Sequence, residues 1–132
     1  MRLYELCRQY QRAIDAKDLS GVLALFTEDA LITTPLSGQL PPLEYHRRLF
    51  AIARQSISRV LNVYEGTKGN PSLALYLQHT LVLTNGKTIE IRAMNVYDAT
   101  PGEDRFTSMN ILFDGAAVSR RLTPEQLDCI GV

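Results

Sequence analysis

The chain has 132 residues, 45% of them hydrophobic, with 14 basic side chains against 14 acidic ones. That length fits a single domain with enough apolar residues to build a core without disulfides or metals. Balanced charge provides no whole-molecule field for nucleic acid or an anionic membrane, and the basic doublets Arg47-Arg48 and Arg120-Arg121 lack the flanking aromatics of a base-stacking platform.

Taken in chain order, Leu3, Leu6, Tyr10, Ala13 and Ile14 recur at three- and four-residue steps and predict an amphipathic helix over 2–16. The charged start, Met1 to Leu6, is unlike a signal peptide. Asp18 suits the N-cap of a second helix through Phe26, with Leu19, Val22, Leu23 and Phe26 on one side. Ala30–Thr34 reads as a short strand closed by Pro35, and 38–42 as a loop. Pro42 opens a third helix to about Gln55, whose phase turns Leu43, Leu49, Phe50 and Ala53 inward. From residue 57 the period changes to two. Strands are expected over 57–65, 73–84, 87–97 and 105–113, with Asn85-Gly86 as the hairpin turn between the second and third of these. Thr123-Pro124-Glu125-Gln126 has the cap, the proline and the Gln of a short terminal helix carrying Leu122, Leu127 and Ile130.

Three helices followed by an antiparallel meander make an α+β domain over 1–115, with 116–132 as a C-terminal extension. A strongly bent sheet leaves a concavity that the helices cannot fill, hence a pocket. If Asn85-Gly86 forms a two-residue turn, Val82 opposes Ile89, Thr80 opposes Ile91, Gln78 opposes Ala93 and Tyr76 opposes Asn95, all on one face. That face mixes hydrogen-bonding groups with apolar ones, as ligand pockets do. The ligand-binding set expected is Thr34, Tyr76, Gln78, Thr80, Val82, Ile91 and Ala93, with Met109 and Phe113 from the closing strand. The other face then holds His79 near Arg92 and Glu90, beside Leu75, Leu77 and Leu81. It reads as a surface for a second copy of the chain, with His79 a contact residue rather than a base. Cys7 and Cys129 have no metal or redox spacing. No metal or cofactor is expected, no stretch approaches the roughly 18 apolar residues of a membrane span, and a reduced, cytoplasmic protein is the reading.

The segments Tyr10-Gln11-Arg12-Ala13-Ile14-Asp15-Ala16-Lys17-Asp18-Leu19 and Leu25-Phe26-Thr27-Glu28-Asp29-Ala30 resemble the opening of the NTF2-like superfamily, which includes ketosteroid isomerases and SnoaL-type cyclases. The similarity continues through Asn85-Gly86 to Ser108-Met109-Asn110-Ile111-Leu112-Phe113. It implies a cone of three helices on a bent mixed sheet, usually dimeric, with a ligand inside. It also implies that Tyr10 and Asn95 stand where isomerases carry their oxyanion donors, and that Thr34 stands where active members carry an Asp base. A threonine hydroxyl cannot remove a carbon-bound proton near neutral pH. The expectation is therefore a neutral cavity that binds a small apolar ligand bearing a carbonyl or hydroxyl. A cyclase, hydratase/dehydratase or isomerase-like enzyme stands beside a non-catalytic carrier, a sensor or a dimeric interaction module.

Overall fold

Helix α1, Arg2–Asp15, buries Leu3, Leu6, Cys7, Tyr10 and Ile14, and Gln11 beside them; the chain is described here from a computed structural model covering residues 2–130. Lys17, at φ 53°, is the one non-glycine residue with positive φ among those described, and it ends the helix. The Asp18 carboxylate then accepts from Gly21 N at 3.0 Å and caps α2, Leu19–Leu23. This helix is shorter than its apolar pattern suggests, because Phe26 already belongs to a strand. Strand β1 runs Phe26–Thr34 and β2 Gly38–Leu40, the latter inside the segment expected to be a loop. Helix α3, Pro42–Ile52, begins on its proline. The meander is β3 Ala53–Glu65, β4 Ser72–Leu83, β5 Thr88–Asp98 and β6 Phe106–Leu112. Two short helices follow, α4 Gly115–Ser119 and α5 Pro124–Ile130. In α5 Thr123 Oγ1 accepts from Gln126 N, while Thr123 N donates to Gln126 Oε1, the reciprocal cap read from the sequence. The Ile130 side chain lies outside the described residues.

All six strands form one sheet in the order β2-β1-β6-β5-β4-β3. The meander returns β6 beside β1 in parallel, and the other pairs are antiparallel. The chain is thus α+β, with helices packed on one face of a mixed sheet.

The β4–β5 register corrects the sequence reading. Leu83 N donates to Lys87 O at 2.8 Å and Gly86 N to Leu83 O at 2.9 Å, so the loop has three residues, Thr84-Asn85-Gly86. Gly86 alone of the three is left-handed, at φ 86°, as in a turn closed by a glycine bulge. One extra loop residue shifts every pair by one: Leu81 opposes Ile89, His79 opposes Ile91, Leu77 opposes Ala93 and Leu75 opposes Asn95. Because side chains alternate, the whole of β4 changes face. Tyr76, Gln78, Thr80 and Val82 point away from the helices, half-buried on the outer face. Leu75, Leu77 and Leu81 are core residues of the single chain rather than a contact surface.

Two apolar clusters hold the layers together. The larger joins α1 to Phe26, Ile32, Leu73, Leu75, Leu77, Tyr97, Phe106 and Met109. The smaller gathers Ala53, Leu81, Leu83 and Ile89 under Leu49, Val118 and Leu122. Ile91 packs against both.

Candidate functional site

A cavity of about 110 Å³ opens along the concave side of the sheet. Its walls are mostly apolar, with Ile14 from α1, Leu49 from α3, and Ile89, Ile91 and Ala93 from β5. Val118 and Leu122 also line it, so the C-terminal segment closes over the cone. Of the residues expected in a pocket, Tyr10, Thr34, Ile91, Ala93, Asn95 and Phe113 line the cavity. Met109 is fully buried in the larger core cluster instead, and the four outward residues of β4 do not reach it.

Thr34 has a local role. Its Oγ1 accepts from Ser37 N at 3.0 Å and from Leu36 N at 3.2 Å, and it shares a 2.7 Å bond with Ser37 Oγ. It shapes the turn between β1 and β2.

Tyr10 is tied to a residue that sequence phase leaves at the margin. In α3 the buried positions are Pro42, His46 and Ile52, whereas Leu43 is exposed. Pro42 ends the preceding extended segment at N1, and this sets the helix phase so that His46, one turn on, faces the core. His46 Nδ1 lies 2.6 Å from Pro42 O, which can only accept, so Nδ1 carries the proton. Burial lowers the His46 pKa to about 4, against a smaller opposing effect of the Pro42 bond, so the ring is neutral at pH 7. Its Nε2 therefore accepts from the Tyr10 hydroxyl at 2.7 Å. The Tyr10 proton is committed to His46 and does not point to a ligand.

Asn95 belongs to a second buried group. The Tyr97 hydroxyl lies 2.6 Å from Gln11 Nε2 and 3.1 Å from Asn95 Nδ2. Gln11 Oε1 and Asn95 Oδ1 are buried without a protein partner among the described residues. Burial, the leading cause, raises the Tyr97 pKa far above the usual phenol range, so the hydroxyl stays protonated.

Further along the same face of the sheet stands an ionisable group that the shifted register brings inside. His79 lines the cavity. Its Nδ1 is 3.1 Å from Ser58 Oγ, its neighbour across the β3–β4 pair. Ser58 Oγ lies in turn 3.1 Å from Asp15 Oδ1, and Ser58 N donates to Asp15 Oδ2 at 3.3 Å. A carboxylate only accepts, so Ser58 Oγ–H donates to Asp15 and its oxygen accepts from His79 Nδ1–H. Nε2 is left with its lone pair and no protein partner among the described residues. Desolvation lowers the His79 pKa to about 4, and partial burial raises that of Asp15 against the bonds from Ser58. At pH 7 His79 is neutral, with one nitrogen oriented and the other open. Sequence reasoning missed this chain because Asp15, Ser58 and His79 lie on three elements and only the strand register joins them.

Charge is otherwise sparse. Arg48 lines the cavity and pairs with Glu44 one turn back. Among the described residues there is no cluster of His, Cys, Asp and Glu that could hold a metal, and no helix is long and apolar enough to cross a membrane.

No family model matches the sequence, and no curated protein matches it. Solved structures do. An NTF2-like protein from Burkholderia pseudomallei is 19% identical, with a TM-score of 0.76 over 93% of this chain and 98% of that one. An epoxide hydrolase/cyclase-like enzyme of pyran ring formation in the polyether salinomycin is 21% identical, with a TM-score of 0.73 over 86% and 91%. A Δ5-3-ketosteroid isomerase from Mycobacterium sp. is 13% identical, with a TM-score of 0.73 over 88% and 95%. At these identities the likeness is one of fold: the chain has the NTF2-like, ketosteroid isomerase-like fold, and its chemistry must be argued from its own cavity.

Proposed function

We propose that the chain is a small-molecule enzyme that moves a proton on an apolar substrate bearing a carbonyl, by isomerisation, elimination or ring closure, with His79 as general base. The observation that carries this reading is the Asp15–Ser58–His79 chain, ending on a histidine that lines an apolar cavity and whose Nε2 has no protein partner among the described residues. Nε2 takes the proton from carbon. The imidazolium so formed keeps its Nδ1–H on Ser58, and its charge faces the Asp15 carboxylate through one hydroxyl. A base whose conjugate acid titrates near 4 is weak, so the carbon it deprotonates needs activation by an adjacent carbonyl. Ring closers and isomerases among the structural neighbours support the class, and a base in this cavity replaces the one missing at Thr34.

The same weakness favours one alternative, a carrier that holds its ligand without turning it over. Deuterium exchange separates the two. A panel of cyclic enones, aryl ketones and 3-oxo-Δ5-steroids is incubated with the protein in D2O and followed by proton NMR. The enzyme reading expects exchange at carbon α or γ to a carbonyl, lowered roughly 10²–10⁴-fold in His79→Gln. Binding without exchange across the panel would establish the carrier instead.

The outer face, with Ala74, Tyr76, Val82, Met94 and Val96 half-buried on it, is proposed as the contact of a homodimer. Equilibrium sedimentation of the protein and of Tyr76→Glu tests it.

A further inference from the structure

One hydroxyl on the cavity wall carries a proton that the protein does not use. On α3 the side chains of Tyr45, Arg48, Leu49 and Ile52 line the cavity, at the three- and four-residue spacing of one helix face. Arg48 is engaged with Glu44. The other hydroxyls of the wall are committed or shut away. Tyr10 donates to His46, Thr34 and Ser37 bond to each other, and Ser56 Oγ is sealed from water. Gln11 and Asn95 turn their amide nitrogens to Tyr97, and their oxygens are sealed as well. Tyr45 Oη has no hydrogen-bond partner among the described residues, and it is not one of the sealed atoms. Its direction follows from its surroundings. The ring stands edge-on to His46 with centroids 5.0 Å apart and packs on the larger core cluster. Burial pushes its pKa above the ordinary phenol range, and charge on Tyr45 is felt by the buried hydroxyls of Tyr10 and Tyr97. A phenol oxygen turned to bulk water would meet neither condition. An oxygen that water reaches but protein surrounds opens on the cavity.

We infer that Tyr45 is the catalytic hydrogen-bond donor to the substrate carbonyl, holding the oxygen on which charge gathers when His79 takes the proton from carbon. This deepens the reading above and rests on it for the reaction, though not for the contact itself. In the step, the C–H electron pair becomes the new C=C bond, the C=O π pair moves onto oxygen, and the proton goes to His79 Nε2. The Tyr45 proton stays on its own oxygen, because burial makes the phenol a weaker acid than usual. The imidazolium then returns a proton to carbon α or γ to the carbonyl, and the C=O bond re-forms. A hydrogen bond to an enolate oxygen is stronger than one to a ketone, so the contact lowers the barrier more than it tightens binding.

Tyr45→Phe removes one oxygen that holds no other part of the protein, so the variant should melt with the wild type. With the ketone of the panel that exchanges fastest in D2O, its turnover should fall roughly 10²–10³-fold, while the dissociation constant rises by about tenfold or less. A variant that exchanges as fast as the wild type would overturn the inference and leave His79 standing as the base. Acetophenone labelled with carbon-13 at its carbonyl gives a second readout, by difference infrared spectroscopy, that needs no turnover. Bound to the wild type, its C=O stretch should lie below the value in an apolar solvent, and it should rise toward that value in Tyr45→Phe. A wild-type stretch at the apolar-solvent value would overturn the inference whether or not the variant folds, and so would a stretch lowered equally in both proteins. If the wild type exchanges no ketone, the reading of His79 as base falls and the stretch alone decides for Tyr45. If no ketone binds, the two fall together.

Discussion

The two polar ends of the cavity are built by the same means and do opposite things. At each, α1 sends a side chain to a hydroxyl held on or beside the sheet: Gln11 to Tyr97, and Asp15 to Ser58. The Tyr97 end is sealed, neutral and unable to change its protonation near pH 7. The His79 wall leads from the cavity to the exposed carboxylate of Asp15, so a proton taken inside has a charged partner outside. Burial thus makes one end a fixed, neutral part of the interior and leaves the other a candidate for chemistry. About one turn of α1 separates the two.

The largest test of that contrast uses pH. His46, on the sealed side, is neutral when folded and titrates near 4, whereas the unfolded ring titrates near 6.5. Between those values the unfolded chain binds the extra proton, so stability is full above about pH 6.5 and declines as pH falls toward 4. A shift of that size corresponds to on the order of 3 kcal/mol. Urea denaturation at pH 7.5 and pH 4.5 should show the loss, and His46→Leu should flatten most of it. His79 titrates in the same window but is only half-buried, so His79→Gln should flatten it less.

A pH-independent effect comes next. Tyr97→Phe strands two buried amides and should cost about 1–3 kcal/mol at every pH. Ser58→Ala, at the His79 end, should cost less than that in stability while lowering deuterium exchange. Equal stability losses from the two variants would show that the ends are not as different as the geometry indicates. The smallest effect concerns the turn that sets the register. Gly86→Ala should destabilise by about 1 kcal/mol, because a Cβ is strained at its φ although no atom lies within 4 Å of it. Thermal denaturation of the variant measures this, and an unchanged midpoint would show that residue 86 is not held in the left-handed region.

Much of the architecture was legible in the residues. The three-and-four spacing of Leu3, Leu6, Tyr10 and Ile14, the cap at Asp18, the proline at 42 and the box at Thr123–Gln126 are local signals, and the structure has each. The site was less legible. Tyr10 and Asn95 come to the cavity as their resemblance to the NTF2-like pattern implies, but Tyr10 donates to His46 and Asn95 answers to Tyr97. His79 read as a surface residue because a two-residue turn at Asn85-Gly86 puts it outside.

Sequence by itself therefore determined the order of the main helices and strands, though not β2 or α4, since periodicity, caps and turn residues act within a few positions of one another. Tertiary structure decided which face of β4 lines the cavity. Side chains alternate along a strand, so a single loop residue separates a cavity of Gln78 and Thr80 from one of His79 and Leu81. It also decided protonation, because the burial that keeps His46 and His79 neutral, and the hydroxyl that links His79 to Asp15, exist only once α1, α3 and the sheet are packed together.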